Sequence, residues 1–240
     1  IKRFPAATVA TLGDHAYDAG SRQDFECYDR TWGKFKQRTR PSAGNHDYET
    51  ANAEGYFDYF GSRAGDSDKG YYTYQLGSWS MIALNSNCEH IGGCGKDSPQ
   101  YRWLNKILSQ SKTRCTLAYM HHPWRSSGPS GPTDMVKPLV KLLYENGADV
   151  VLSGHDHIYE RFAPQRPDGR ADNQRGMRQF VVGTGGSGRL YRVDGPLDNS
   201  EVWNNEMSGV LKLNLNKNRY TWEFLGVKEA FVDRGEDNCH

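Results

Sequence analysis

The chain has 240 residues, with 30 Lys and Arg against 29 Asp and Glu, and 12% of its residues are aromatic. This length is enough for one large domain with a substantial core, and the aromatic content is too high for a disordered chain. Uncharged apolar runs are only a few residues long, so no segment is predicted to span a membrane. The net charge of +1 argues against general nucleic-acid binding, which depends on neutralising many phosphates.

Short apolar runs predict buried strands, and helical spacing predicts three helices between them. The predicted strands are residues 8–12, 79–84, 116–120, 150–152 and 180–182, with hairpins joining 71–76 to 79–84 and 209–215 to 220–225. The predicted helices are residues 24–37, 98–109 and 133–144. Strands that alternate with helices and then give way to hairpins indicate a mixed, layered α/β fold. No repeat or linker divides the chain, so we expect one domain over residues 1–240.

The five cysteines favour an oxidising compartment. We expect Cys88 and Cys94 to close a short glycine-rich loop with a disulfide, because the paired spacings of a zinc site are absent. Cys115 begins an apolar run and is expected to be a buried free thiol. Cys27 and Cys239 could then tie the C-terminal tail to the first helix. Disulfides indicate a secreted or periplasmic protein, although the first residues carry no apolar signal segment.

Four segments place metal-capable side chains directly after a glycine, a small residue or an apolar run. They are residues 12–17 (LGDHAY), 43–47 (AGNHD), 119–123 (YMHHP) and 153–157 (SGHDH). Three of them follow predicted strands, and ligands bind at the carboxyl ends of strands in open α/β sheets. A single histidine at a strand end is usually structural, but four such clusters in one chain favour a metal site. Imidazole and carboxylate ligands suit zinc, iron and manganese.

The spacing of His155 and His157 gives a further expectation. In an extended segment, residues two apart point to opposite sides. Each histidine could therefore bind a different metal ion.

The ordered set of G-D-x-x-Y at 13–17, G-N-H-D at 44–47, A-x-x-H at 118–121 and G-H-x-H at 154–157 resembles the motifs of the calcineurin-like metallophosphoesterases. The tyrosine of the first motif is similar to that of the purple acid phosphatase branch, and the stretches between the motifs look like secreted bacterial members. The resemblance covers nearly the whole chain. It implies a layered αββα metallophosphatase sandwich with mixed sheets, and a hydrolase with a binuclear metal centre.

The resemblance also implies a role for each motif residue. Six residues would hold two ions: Asp14 as the bridge, Tyr17 and His157 on the first ion, and Asn45, His121 and His155 on the second. A metal-activated hydroxide would attack phosphorus while His46 assists the leaving group. The ions would be iron together with zinc, manganese or a second iron, and the ligand types leave their identity open.

The chain departs from the family pattern in two places. Relatives carry one more Asp ligand ahead of the first motif, whereas none of the first thirteen residues is Asp or Glu. We therefore expect the first strand of the fold to lie in a missing N-terminal segment or on a second chain, which leaves an open sheet edge or a gap. The loop 123–132 also lacks the histidines of plant relatives. Arg125 could contact a phosphate there or be a solvated loop residue, and His122 could point into the pocket or cover the sheet.

The leading interpretation is an enzyme that hydrolyses small phosphate mono- or diesters. The alternative is a non-catalytic binding or structural protein that reuses the fold after losing the first ligand strand. The absent Asp favours this alternative, whereas His46 and the complete second-ion ligand set favour the enzyme.

Two other features are expected to be structural. His15 and Asp18 are interpreted as solvent-facing or capping residues, and the glycine-rich stretch 183–188 as a rim loop beside the metal centre rather than a dinucleotide loop.

Overall fold

The computed structural model describes residues 1–187, 195–228 and 230–240. The strands in this part of the chain are β1 Val9–Leu12, β2 Thr39–Ser42, β3 Tyr72–Leu76, β4 Trp79–Ala83, β5 Cys115–Met120, β6 Val150–Ser153, β7 Tyr159–Phe162, β8 Arg178–Val182, β9 Ser200–Asn204, β10 Gly209–Leu215, β11 Arg219–Gly226 and β12 Arg234–Asn238. The α-helices are α1 Arg22–Thr31, α2 Glu54–Phe60, α3 Pro99–Gln110 and α4 Lys137–Glu145. No helix of these residues is both long and apolar enough to cross a bilayer.

The largest element is a seven-stranded mixed sheet with the order β3-β4-β5-β6-β8-β7-β9. Strands β4, β5, β6 and β8 run parallel to one another. The outer pairs β3-β4, β8-β7 and β7-β9 are antiparallel, so β3 and β7 run opposite to these four strands. Strand β5 is buried along its whole length, as expected for a parallel strand covered on both faces. Because the four parallel strands end at the same edge, the segments that follow them meet there.

One face of this sheet is covered by α3 and α4. Leu104 of α3 and Leu139 and Leu143 of α4 are fully buried in one cluster with Ile82 and Val151 of the sheet. In α4, leucines four residues apart lie on the same side of the helix, so a single apolar stripe faces the strands.

The opposite face is covered by two smaller sheets, the parallel pair β1-β2 and the antiparallel sheet β10-β11-β12. Trp222 and Phe224 of β11 pack with Trp79, Tyr119 and Phe180 of the large sheet. Helices α1 and α2 pack in a third, largely aromatic cluster with Ala16 and Ala43, which lie in the turns after β1 and β2. The predicted layered α/β architecture with mixed sheets is confirmed. Among the described residues, β1 and β2 pair only with each other.

Strand β2 is not predicted by the sequence, because Pro41 lies within it and proline lacks the N–H that a central strand needs. Here the large sheet holds β2 through side chains. The hydroxyls of Tyr72 and Tyr119 donate to the carbonyls of Pro41 and Arg40 over 2.8 and 3.1 Å. The strand therefore needs no second hydrogen-bonded neighbour to keep its position.

The disulfides confirm one expectation and overturn another. Cys88 and Cys94 are bonded, as predicted. The prediction that Cys115 is a free thiol is wrong, because Cys115 is bonded to Cys239, and Cys27 is the exposed free cysteine. Strand β12 returns beside β11, which packs on the large sheet, and this brings the C-terminal tail to the start of β5. The suggested link between Cys27 and Cys239 is therefore also wrong.

Candidate metal centre

Two of the ligand turns follow the parallel strands β1 and β2, which end at the same edge. Asp14 lies in the left-handed region at φ 51°, directly after Gly13 at φ 91°. A Cβ atom on Gly13 would lie 2.3 Å from His121 Nδ1, and one on Gly44 would lie 2.1 Å from Asp14 Oδ1. Both glycines are needed because the turns approach each other, and the third ligand strand, more closely than a side chain allows.

His121 follows β5 and is the centre of one group of ligand atoms. Its Nε2 atom lies 3.0 Å from Asn45 Oδ1, 3.0 Å from His155 Nδ1 and 3.2 Å from Asp14 Oδ2. Its other ring nitrogen, Nδ1, donates to the Leu12 carbonyl over 2.6 Å, so Nε2 is the ring nitrogen directed into the group. The group therefore places an amide oxygen, an imidazole nitrogen and a carboxylate oxygen within 3.2 Å of Nε2.

Tyr17 and His157 form the other group. The Tyr17 hydroxyl lies 3.3 Å from Asp14 Oδ2 and 3.3 Å from His157 Nε2. The other nitrogen of His157, Nδ1, lies 2.8 Å from the Ser187 hydroxyl, which fixes the ring orientation. Because Asp14 Oδ2 belongs to both groups, this carboxylate lies between them.

These distances fit the residues of a metal site. Two ligands on one ion with bonds of about 2.0–2.2 Å lie about 3–3.5 Å apart, and the ligand atoms in both groups are 3.0–3.3 Å apart. The donor set of imidazole, carboxylate, phenol and amide oxygen suits iron, zinc or manganese. All six sequence-predicted ligand residues are thus brought together at one edge of the sheets.

Electrostatics keep His155 and His122 unprotonated and Asp14 ionised, whereas at His121 burial is outweighed by the Asp14 carboxylate, which raises the pKa of that ring. Burial, with the neighbouring His121 ring as a second cause, lowers the pKa of His155 to about 4 and that of His122 to about 3. Burial opposes ionisation of Asp14, but His121 and the His46 amide outweigh it and hold the pKa of that carboxyl well below its usual range. A neutral His155 imidazole and an ionised Asp14 carboxylate are the forms that bind a metal ion.

The local structure around His155 differs from the sequence expectation. Residues 154–158 form a turn rather than an extended segment, and His155 is in the left-handed region at φ 64°. The expectation that His155 and His157 lie in an extended segment, with their side chains on opposite sides of it, is therefore wrong. The turn nevertheless directs His155 toward His121 and His157 toward Tyr17.

His46 lies at the exposed side of the centre. Its backbone N–H donates to Asp14 Oδ1 over 3.0 Å, and its ring Nδ1 donates to the Asp18 carbonyl over 2.6 Å. The ring stands 4.6 Å from that of Tyr17. With Nδ1 committed to Asp18, Nε2 is the nitrogen left for chemistry.

The two candidates for substrate contact are placed differently. The His122 ring lies 4.6 Å from that of His155, and its Nδ1 lies 2.8 Å from the Ser86 hydroxyl. The Arg125 guanidinium instead donates to the Asp198 carbonyl and lies over the Phe162 ring. The structure brings His122 beside the ligand groups, whereas the Arg125 guanidinium contacts Asp198 and Phe162.

Several contributing residues are missed by sequence reasoning. Ser86, after β4, and Ser187, in the glycine-rich rim, both contact histidines of the centre. Their positions after strands β4 and β8 are the feature that could have identified them. The last residue of the rim, Gly188, lies outside the described residues. The expectation that His15 is solvent-facing or capping is wrong, because its side chain is 1% exposed and bonded to Asp47.

A family model and several known proteins match this chain. Residues 4–159 match the family model described as calcineurin-like phosphoesterase. Purple acid phosphatase 15 of Arabidopsis thaliana is 30% identical over 149 residues, which are 54% of this chain and 27% of that protein. The purple acid phosphatase of Glycine max is 29% identical over 181 residues, 64% of this chain and 37% of that protein. The chain therefore spans well under half the length of either relative.

A solved structure shows the same fold. The purple acid phosphatase isolated from yellow lupin (Lupinus luteus) seeds superposes with a TM-score of 0.77 at 17% identity, covering 98% of this chain and 47% of that one. The family model covers well over half of the chain, including all four motifs. The chain therefore belongs to the calcineurin-like phosphoesterase family, and the resemblance to its purple acid phosphatase branch is confirmed.

Proposed function

We propose that this chain forms the catalytic unit of a hydrolase that cleaves phosphate mono- or diesters at a binuclear metal centre. The observation that carries the proposal is the position of Asp14. Its Oδ2 atom lies 3.2 Å from His121 Nε2 and 3.3 Å from the Tyr17 hydroxyl, so one carboxylate is shared by two groups of ligand atoms. Membership of the phosphoesterase family supports this assignment.

The two groups would hold one ion each. Tyr17, His157 and Asp14 would bind the first, and Asn45, His121 and His155 would bind the second together with Asp14. When bound, the ions supply positive charge that lowers the pKa of a water molecule and offsets the charge of the phosphate. The phenol of Tyr17 suits iron at the first position, and zinc, manganese or a second iron suits the histidines and amide of the other.

His46 would serve as the acid for the leaving group. Its Nδ1–H is held by the Asp18 carbonyl, so Nε2 carries a proton only in the cationic ring and can release that proton to the leaving oxygen. General acid catalysis of this kind contributes about 10²–10⁴-fold to the rate. We assign substrate contact to His122, since Arg125 would have to leave Asp198 and Phe162 to reach a phosphate.

The two disulfides support a secreted or periplasmic location, because such bonds persist in oxidising compartments. The substrate would be a small phosphorylated molecule. The net charge of +1 does not support a nucleic-acid partner.

Hydrolysis of p-nitrophenyl phosphate and of bis(p-nitrophenyl) phosphate by the metal-loaded chain tests the proposal. The His46→Ala variant should lose about 10²–10⁴-fold in turnover and keep its metal content. The matched control is His90→Ala, which removes an exposed ring stacked on Tyr48 and should leave both unchanged. A chain that binds metal but cleaves neither ester would support the non-catalytic alternative.

A further inference from the structure

The turns after β1 and β2 are joined by a buried pair that the proposed ligand set does not use. The His15 ring, through Nδ1, lies 2.9 Å from Asp47 Oδ2, and the His15 backbone N–H donates to Asp47 Oδ1 over 3.2 Å. The Gly44 N–H donates to Asp47 Oδ2 over 2.8 Å. Asp47 therefore accepts bonds from both turns.

Further contacts with β1, α1 and α2 hold the His15 ring in place. His15 Nε2 lies 2.7 Å from the Thr11 hydroxyl of β1, so both ring nitrogens have partners. Four aromatic rings from α1 and α2 surround the imidazole at centroid distances of 4.9–6.4 Å: Phe25, Tyr28, Tyr56 and Phe60. The side chains of His15 and Asp47 are 1% and 0% exposed. A buried carboxylate with these bonds has one well-defined position, because leaving it unpaired would be costly.

Each residue of the pair is next to, or two residues from, a proposed ligand. His15 follows Asp14, and Asp47 follows Asn45 and His46. The reverse connection also exists, because the His46 N–H donates to Asp14 Oδ1 over 3.0 Å. An acid of each turn thus accepts a backbone N–H of the other turn, and the two bonds together fix the distance between the turns.

We propose that His15 and Asp47 are positioning residues that hold the turn carrying Asp14 and Tyr17 at a fixed distance from the turn carrying Asn45 and His46. The role as a brace for metal ligands rests on the proposed function. The bonds that make the brace involve only this chain, so they can be tested without metal. Residues that orient ligands from outside the coordination sphere typically change metal affinity by 10–100-fold when replaced.

The decisive variants change the polar contacts and leave the shape. Asp47→Asn keeps the volume but places an amide NH₂ against an N–H donor of Gly44 or His15. His15→Asn keeps a donor near the position of Nδ1, whereas His15→Ala removes it. Phe60→Leu is the control, since it loosens the aromatic surroundings of His15 and keeps every bond to Asp47.

Two measurements are made on the full 240-residue chain. The first is the hydrogen-exchange rate of the His46 amide in metal-free protein, and the second is zinc affinity by calorimetry. We expect Asp47→Asn and His15→Ala to speed His46 exchange at least tenfold and to weaken zinc binding 10–100-fold. His15→Asn should recover most of both effects, and Phe60→Leu should lower the thermal midpoint while leaving both near wild type.

The outcomes separate this proposal from the proposed function. Unchanged His46 exchange in folded Asp47→Asn overturns the brace, whatever zinc does. Faster exchange with unchanged zinc affinity overturns the positioning role. If the wild-type chain binds no zinc, the proposed function fails, and His46 exchange alone then decides whether the brace exists. A Phe60→Leu variant that matches Asp47→Asn in both measurements would show that packing, not the bonds, sets the turns, and would also overturn the proposal.

Discussion

Gly44 is the position where a single methyl group should disable the metal centre. In Gly44→Ala the new Cβ would lie 2.1 Å from Asp14 Oδ1 and 2.3 Å from the Asp14 backbone nitrogen. Ordinary contacts of a Cβ atom begin at about 3.4 Å. A rotation of the Asp14 side chain relieves the first contact, but the second is with backbone, so the whole turn must move.

The required shift is more than 1 Å, since 2.3 Å has to become an ordinary contact. Ligand groups need to stay within about 0.5 Å of their working geometry, and a misplacement of about 1 Å costs on the order of 10²-fold in rate. We therefore expect Gly44→Ala to lose at least tenfold in zinc affinity. The accompanying overpacking should cost about 1–3 kcal/mol of stability.

Calorimetric zinc titration of the metal-free chain measures the first effect, and urea unfolding measures the second. Gly209→Ala is the matched control, because its Cβ would lie 2.5 Å from Phe224 and 2.6 Å from the Leu225 carbonyl, among strands β10 and β11. It should lose comparable stability and retain zinc affinity. Gly95→Ala meets no atom within 4 Å and should change neither. Wild-type zinc affinity in folded Gly44→Ala would refute the reasoning.

Three further predictions concern colour, crosslinks and pH. Loaded with ferric iron, the chain should show a visible charge-transfer band that Tyr17→Phe abolishes, and a band that persists in the variant would contradict tyrosine coordination. Cys115→Ser opens a disulfide of sequence separation 124 and should lower the free energy of unfolding by about 5 kcal/mol. Cys88→Ser opens one of separation 6 and should lower it by about 2 kcal/mol. Urea unfolding measures both losses, and equal losses would contradict the loop-entropy argument. Burial raises the pKa of Asp149 from 3.8 to about 6. Between these two values the folded chain keeps a proton on Asp149 that the unfolded chain loses. The free energy of unfolding should therefore fall by up to about 3 kcal/mol as pH rises from about 4 to 6. Asp149→Asn should lack this decrease, and parallel wild-type and variant curves of unfolding free energy against pH would contradict the assignment.

The sequence predicts the parts of this molecule that follow local rules. The strands β4, β5, β6 and β8 are short apolar runs, and their burial on both faces produces that pattern. The polar residues after them meet because parallel strands share an edge. For this reason His121 and His155, which follow β5 and β6, could be assigned to one site from the sequence, and the ordered set of motifs added Asp14 and Asn45.

Features that depend on distant contacts are not predictable in this way. Cys115 and Cys239 are 124 residues apart, and only the packing of β11 on the large sheet brings them together. The burial of His15 depends on aromatic rings of α1 and α2 that enclose it. The left-handed backbone of His155 could not be predicted from its residue type, because only a small fraction of histidines adopt this conformation.

Metal stoichiometry tests the central claim most directly. The purified chain is loaded with excess zinc, passed through a desalting column and analysed for zinc per chain by mass spectrometry, alongside His155→Ala and His157→Ala. The shared position of Asp14 between two ligand groups predicts two zinc ions per wild-type chain and one in each variant. One ion or none in the wild-type chain, or two in either variant, would contradict the binuclear centre.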